Sequence, residues 1–526
     1  MIFRLDRGLP PEVQEQIPLI AGHARREGLD FFETIFESVT AEEMSMLAAF
    51  GGFPVRFPHW RFGMEYERVR KQHGWGLGKI YEMVVNTDPC LAYLVDDNEF
   101  TDQKTVIAHV YAHCDFFKNN AWFRQTNRRM VDQMANHAAR IRRHIDRIGA
   151  DEVERFLDDC LSIENLIDPH SQFVERGPSK PARPEDDDDP QCNDAVVHYD
   201  AKGYLDAFIN PRKRAAGERA EAQKKKEDAR KKDPKSPWRD VMLFLLNRAP
   251  LKDWQADILS IIRDEAYYYA PQGQTKVMNE GWAVYWHSTI MTRYAATTAD
   301  IVTYCAHNAG VLASPPGSFN PYKIGVELFR DIEDRWNRGA HGKEYDECDD
   351  LGVRERWGRD RAAGPPPLAD NTPGRKKIFE VRRHLNDIQF IDQFLTPEFV
   401  ERHHMYQHRI DPSTGRMVVV SRDFRTVKEQ LLFMLTNHGQ PYIYVTDANY
   451  GNAGELCLGH MRTYDVDVDA GLAASTLKAI RRIWGRPVNL FGVVNGEPCR
   501  IRVDNDGEVT ASPTSDRDVA APAHRV

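Results

Sequence analysis

Between Thr101 and Asn120 the sequence TDQKTVIAHVYAHCDFFKNN repeats apolar residues at three- and four-residue intervals, the spacing of a helix. Thr101 is a favourable N-cap and Asp102 sits in the first turn, so the helix is predicted from about Asp102 into Phe116–Lys118. Before it, Tyr81–Val85 (YEMVV) and Cys90–Val95 (CLAYLV) flank a turn-forming Asn-Thr-Asp-Pro, the pattern of a hairpin or a pair of edge strands. From Leu5 to about Gly74 the period is mostly helical. It is helical again through MVDQMANHAARIRRHIDRIG and DEVERFLDDCLSIENLID. A further helical block runs from Asp240 to about Ala296, interrupted at Pro271 and Gly273. The helix that carries Glu280 is therefore predicted to start afresh after a tight link.

After about His408 the pattern turns to strands. MVVVSRDF, PYIYVTDAN, ELCLGHMRTYDVDVD, PVNLFGVVNG and PCRIRVDND alternate or run apolar, around helices at RTVKEQLLFMLTN and AGLAASTLKAIRRIWG. On pattern, residues 1–174 form a helical part with the strand pair, and 239–408 a second helical part that packs with it as one core. Residues 409–508 form a small α+β domain, and 509–526 a disordered tail. The intervening 175–238 is a charged insertion: PSKPARPEDDDDPQ is acidic and proline-rich, and ERAEAQKKKEDARKKDPKSP is dense in charge. The fold class is mainly α with a small β edge, plus the α+β C-terminal domain.

Composition narrows this only slightly. In a chain of 526 residues, 41% hydrophobic and 28% charged, two or three globular domains are expected. A formal net charge of −9 argues against nucleic acid as a partner. No apolar run is long enough to span a membrane, and the N-terminus lacks the apolar stretch of a signal peptide, so a cytoplasmic location is expected. The eight cysteines are scattered with no CxxC pair, which favours thiols over a disulfide frame or a cysteine zinc site.

The sharpest candidate chemistry is the pair His109 and His113. Histidines at i and i+4 stack on one helical face, close enough to share a cation. Glu280, in NEGWAVYWH, would supply a third ligand from another helix, and zinc is the expected ion. This ligand plan is similar to that of the gluzincin metalloproteases and implies a zincin-like helical core. His287, two turns beyond Glu280, shares its face and is a candidate second catalytic group. The small residues Gly281 and Ala283 would let the histidine helix approach closely. In HExxH the residue after the first histidine is the general base, and here it is Val110, which takes no proton. Tyr111, Asp115, Glu82 and His287 are the candidate replacements. Gln272, Gln274 and Asn279 beside Glu280, with Lys118 and Asn119 beyond His113, are candidate substrate-binding groups. The structural alternatives stay open. The histidines can be a hydrogen-bonded polar stripe, and Glu280 can be a buried carboxylate paired with Lys276 or Arg293.

Several long words in a fixed order carry a family resemblance: FPHWRFGMEYE, YEMVVNTDPCLAYLVDDN, VIAHVYAHCDFFKNN, APQGQTKVMNEGWAVYWH, NPYKIGVELFRDIEDRW and DIQFIDQFLTPEFVERHHMY. The chain resembles the stage V sporulation protein R (SpoVR) family across nearly its whole length outside the insertion and tail. The resemblance implies a role in spore cortex formation or in stress and stationary-phase physiology. It also implies a PrkA-type serine kinase and a von Willebrand factor A-like protein as associates. Two functions follow as expectations: a zinc-dependent hydrolase acting on peptide or cell-wall peptide, or a non-catalytic regulatory scaffold working through those partners. A di-metal oxidative site is a third, weaker option. It needs two Glu-x-x-His motifs, and only Glu401–His404 is present.

Overall fold

The computed structural model describes residues 8–74, 80–171, 233–315, 317–358, 372–463 and 466–515. Most of the charged insertion and the end of the tail lie outside these. Helices hold 55% of the residues and strands 14%, so the chain is mainly helical. It separates into two units, Met1–Glu154 with Tyr267–Gln440, and Arg155–Ala266 with Pro441–Val526. The division near the C-terminus thus falls at 440/441, not at the expected 408/409. The reason is packing: Val427, Leu431 and Leu432, on a helix expected within the C-terminal domain, are buried in the core of the first unit.

The first unit opens with helix α1 (Pro11–Arg26) and strand β1 (Thr34–Val39). β2 (Glu82–Val85) and β3 (Cys90–Val95) then form the predicted strand pair, antiparallel, with Val84 opposite Ala92. β1 lies in the stretch read as mostly helical, and it pairs parallel to β3. The sheet order is β1-β3-β2, which places β2 at the edge and β3 in the middle, almost wholly buried. A central strand covered on both faces reads as a continuous apolar run, as CLAYLV does.

Helix α2 (Phe100–Asn119) follows and is buried from Thr101 to Phe117. Its N-cap is Glu99, two residues ahead of the expected Thr101. Thr101 instead donates to Asp300 Oδ1 at 2.7 Å, and Lys104 pairs with Asp300 Oδ2 at 2.6 Å, so these polar residues are satisfied by a distant segment and not by the helix end.

Helix α3 (Lys276–Ile290) carries Glu280. The preceding helix, Asp253–Gln274, runs on through Pro271 and Gly273 and stops only at Thr275. There the Thr275 hydroxyl donates to the Pro271 carbonyl at 2.7 Å and closes the helix end, so the break comes later than Pro271 implied. The open N-terminus of α3 is capped from far along the chain. Asp387 accepts from Val277 N at 2.8 Å and Met278 N at 2.9 Å, using both carboxylate oxygens. Around α3 pack α4 (Ile301–Val311), α5 (Pro321–Arg338), α6 (Pro373–His384) and α7 (Asp387–Phe394).

Gly281 does not face the histidine helix. It meets Gly325 of α5, and a Cβ at 281 would lie 2.4 Å from the Gly325 Cα. Two glycines in register let the α3 and α5 backbones touch, and that explains the small residue better than an approach of α2. The unit ends with α8 (Pro397–Arg402), the hairpin β4 (Gln407–Ile410) and β5 (Met417–Ser421), and α9 (Phe424–Leu435).

In the second unit, β6 (Tyr442–Tyr450), β7 (Glu455–Met461), α10 (Ala470–Trp484), β8 (Val488–Val494), β9 (Glu497–Val503) and β10 (Val509–Pro513) build a five-stranded sheet of order β10-β9-β8-β7-β6. β7 and β8 are parallel, joined through α10. β10 pairs with β9 in the stretch expected to open a disordered tail, because VTASP offers a strand edge that Val503–Cys499 completes. Among the described residues, no helix is long and apolar enough to cross a membrane.

Candidate metal centre

His109 and His113 stand one helical turn apart on the buried helix α2, their ring centroids 4.5 Å apart. Glu280, in the second turn of α3, faces both. Its Oε2 lies 3.7 Å from His109 Nε2 and 3.6 Å from His113 Nε2. These spacings are too long for hydrogen bonds. They are close to the edge of a tetrahedron, about 3.4 Å when each donor sits about 2.1 Å from one ion. The three donor atoms all lie within 4.8 Å of one another, and among the described residues they form the one such group of histidine, cysteine and carboxylate side chains.

Local hydrogen bonding fixes the orientation of one of these rings. His113 Nδ1 is 3.0 Å from Asn279 Oδ1. A carbonyl oxygen only accepts, so Nδ1 carries the proton and the Nε2 lone pair points at Glu280. Burial, reinforced by the neighbouring His109, pulls His113 down to about 4, so it is a neutral ligand at neutral pH. A lone pair aimed at a buried carboxylate is unfavourable unless positive charge lies between them. His109 goes the other way. Burial opposes its charged form, but Glu280 and Glu82 outweigh that and raise it. Glu280 is in turn lowered: burial would raise it, and His109, His113 and Lys276 overcome the penalty. The donor set, two imidazoles and one carboxylate, fits zinc with an open position.

Two further groups border the triad. Glu82, on the edge strand β2, places Oε1 3.8 Å from His109 Nε2 and lies outside the three-donor set. Burial raises its carboxyl, with His109 acting against the shift. His287 is buried beside His109, ring centroids 5.3 Å apart, and its Nδ1 has no hydrogen-bond partner. Burial keeps this ring well below its ordinary value and therefore neutral. Tyr322, at the start of α5, borders Glu280, and burial and that carboxylate raise its phenol.

The other sequence candidates are distributed differently. Asn279 joins the centre as the partner of His113. Tyr111 does not. Two residues beyond His109 is about 200° around a helix, and its ring packs on Phe31 and Phe36 while its hydroxyl donates to the Ile17 carbonyl. Asp115 is also turned away. It is buried, accepts from Asp30 N and Trp282 Nε1, each at 2.8 Å, and is pushed up to about 6 by burial. Lys118 pairs with Asp30 at 2.5 Å, and Asn119 donates to the Asp30 and Asp115 carbonyls, so both hold the end of α2 in place. Gln272 and Gln274 make no hydrogen bond to the centre among the described residues, and the Gln274 carbonyl oxygen is buried without a partner. Arg293 pairs with Glu27, not Glu280. Sequence reading did not anticipate Tyr322, which follows Pro321 at the start of α5 and carries no local signal.

Comparisons with known proteins bear on most of the chain. Residues 10–440 match the family described as SpoVR like protein. A protein of Escherichia coli (strain K12) named "Uncharacterized protein YcgB" is 30% identical over 487 residues, covering 88% of each chain. No solved structure matches.

Proposed function

This chain belongs to the SpoVR-like family, and from that premise we propose that its first unit is a zinc-dependent hydrolase centre acting on amide bonds of a peptide or cell-wall peptide. One observation carries the reading: a neutral His113, fixed by Asn279, aims its free nitrogen at Glu280 with His109 alongside. His109, His113 and Glu280 would hold the ion in the manner of a zincin-like core. The ion supplies Lewis acidity, polarising a carbonyl and lowering the pKa of water. Glu82 takes the place of the base that Val110 cannot provide. It approaches from the edge strand, and burial has raised its proton affinity. His287 stays neutral and offers Nδ1 to a substrate oxygen or to its own proton relay. The cell-wall substrate, and a setting in sporulation or stress physiology, are extensions of the family premise.

A second reading has its own support. Val110 is fully buried against the core, so the histidine helix is built without a base at the expected place. On that reading the centre is structural, and the chain serves as a scaffold for a PrkA-type kinase and a von Willebrand factor A-like partner.

Metal analysis of protein purified without an affinity tag separates the two. The hydrolase reading expects about one zinc per chain, lost in His109→Ala and Glu280→Ala, together with cleavage of peptides or peptidoglycan fragments. Metal-free protein, with both variants as stable as the parent, refutes it. Bound zinc without any cleavage across those substrates favours the scaffold.

A further inference from the structure

A second concavity in the first unit has no part in the centre just described. It encloses about 390 Å³ between the start of α5, the end of α8, α9 and the 314–319 loop. This is within the usual range of small-molecule sites. None of the metal-centre donors lines it. Its floor is apolar and buried: Ile324, Phe399, Val427 and Leu431. Its rim is polar and carries one lysine, Lys323, and one carboxylate, Glu327. Lys323 has no carboxylate within ion-pair distance among the described residues. The acid on the lining, Glu327, is held by Arg330 at 3.0 Å. His404 and His408 also line it; His404 Nδ1 lies 3.4 Å from the Tyr406 hydroxyl, and His408 Nδ1 donates to the Tyr406 carbonyl at 2.7 Å.

His404 is the informative residue. It follows the C-cap of α8 and has φ +51°, the left-handed conformation that ends many helices. Met405 N bonds back to the Val400 carbonyl at 3.0 Å, completing the termination. Glycine occupies such positions without strain, and asparagine is the usual second choice. A histidine there costs stability and returns a ring on the wall of the cavity. Local rules broken without local gain concentrate at sites of use.

We propose that this cavity binds a small amphipathic organic anion, its aliphatic or aromatic body on Phe399 and Leu431 and its anionic head between Lys323 and His404. Dansylglycine and dansylamide test this in the full-length chain, because they share a fluorophore and differ in the carboxylate. Dansylglycine is expected to saturate at one per chain and to bind about fivefold or more tighter than dansylamide. Lys323→Gln should erase that difference, leaving dansylamide binding unchanged. Leu431→Trp, which fills the floor, should abolish both. His404→Gly should raise the thermal midpoint yet weaken dansylglycine, opposite signs that a purely structural histidine would not give. Equal binding of the two probes, a carboxylate preference that survives Lys323→Gln, or no saturable binding to the parent protein would each overturn the proposal.

Discussion

Gly281→Ala puts the close approach of α3 and α5 to the test. The added Cβ would sit 2.4 Å from the Gly325 Cα and carbonyl carbon and 2.7 Å from Val326 N. Carbon contacts settle at about 3.5–4.0 Å, so the two helices must part by about 1 Å. Backbone atoms cannot rotate aside, which places the cost near the upper end of overpacking, about 3 kcal/mol. Alanine's better helix propensity returns about 1 kcal/mol, leaving a net loss of about 2 kcal/mol. Gly22→Ala in α1 is the control. Nothing lies within 4 Å of its Cβ, so the same substitution should be neutral or stabilise by about 0.5–1 kcal/mol. The shift also reaches the metal centre, because Glu280 is the adjacent residue and ligand distances tolerate only about 0.2 Å. Urea unfolding followed by tryptophan fluorescence, with zinc affinity measured by chelator competition, gives both readouts. If the two alanine variants shift unfolding in the same direction by similar amounts, the glycine contact does not position α3.

Two further outcomes follow from the site and its supports. Glu82→Gln should keep zinc and lose about 10²–10⁴ in turnover on any cleaved peptide; loss of zinc in this variant would make Glu82 a ligand instead of a base. The second concerns Asp387, which burial pushes up to about 7 from 3.8 despite the two amides it caps. The folded chain therefore holds a proton that the unfolded chain releases between about pH 4 and 7. The stabilisation is full below that window and lost as pH rises through 7, by up to about 4 kcal/mol. Asp115, at about 6, adds the same sign. Stability should fall from pH 5 to 8, and Asp387→Asn should flatten that slope; an unchanged slope would remove Asp387 as its source.

The spacing of His109 and His113 was readable because a helix brings i and i+4 together whatever surrounds it. Tyr111 shows the other side of that rule: two residues on, the same helix points away, and the side chain is committed to Phe31 and Phe36. Glu82 was one of four candidate bases, and only the pairing of β2 with β3 brings it to His109. β1 was missed because its partner β3 lies more than fifty residues on, and a short run such as TIFESV has no local mark of parallel pairing. Gly281 announced a close approach without saying to what. That information resides in Gly325, and periodicity within one helix does not reach it.

The capping of α3 by Asp387 has a consequence for the order of events during synthesis. Both histidines leave the ribosome long before Glu280, and the helix that presents Glu280 has no cap until the chain has grown past Asp387. On the zinc reading proposed above, a nascent chain would for that interval present a bare histidine pair, able to bind a divalent ion without the third donor. Selection of the metal would then be a property of the finished fold, imposed late, when the third donor arrives.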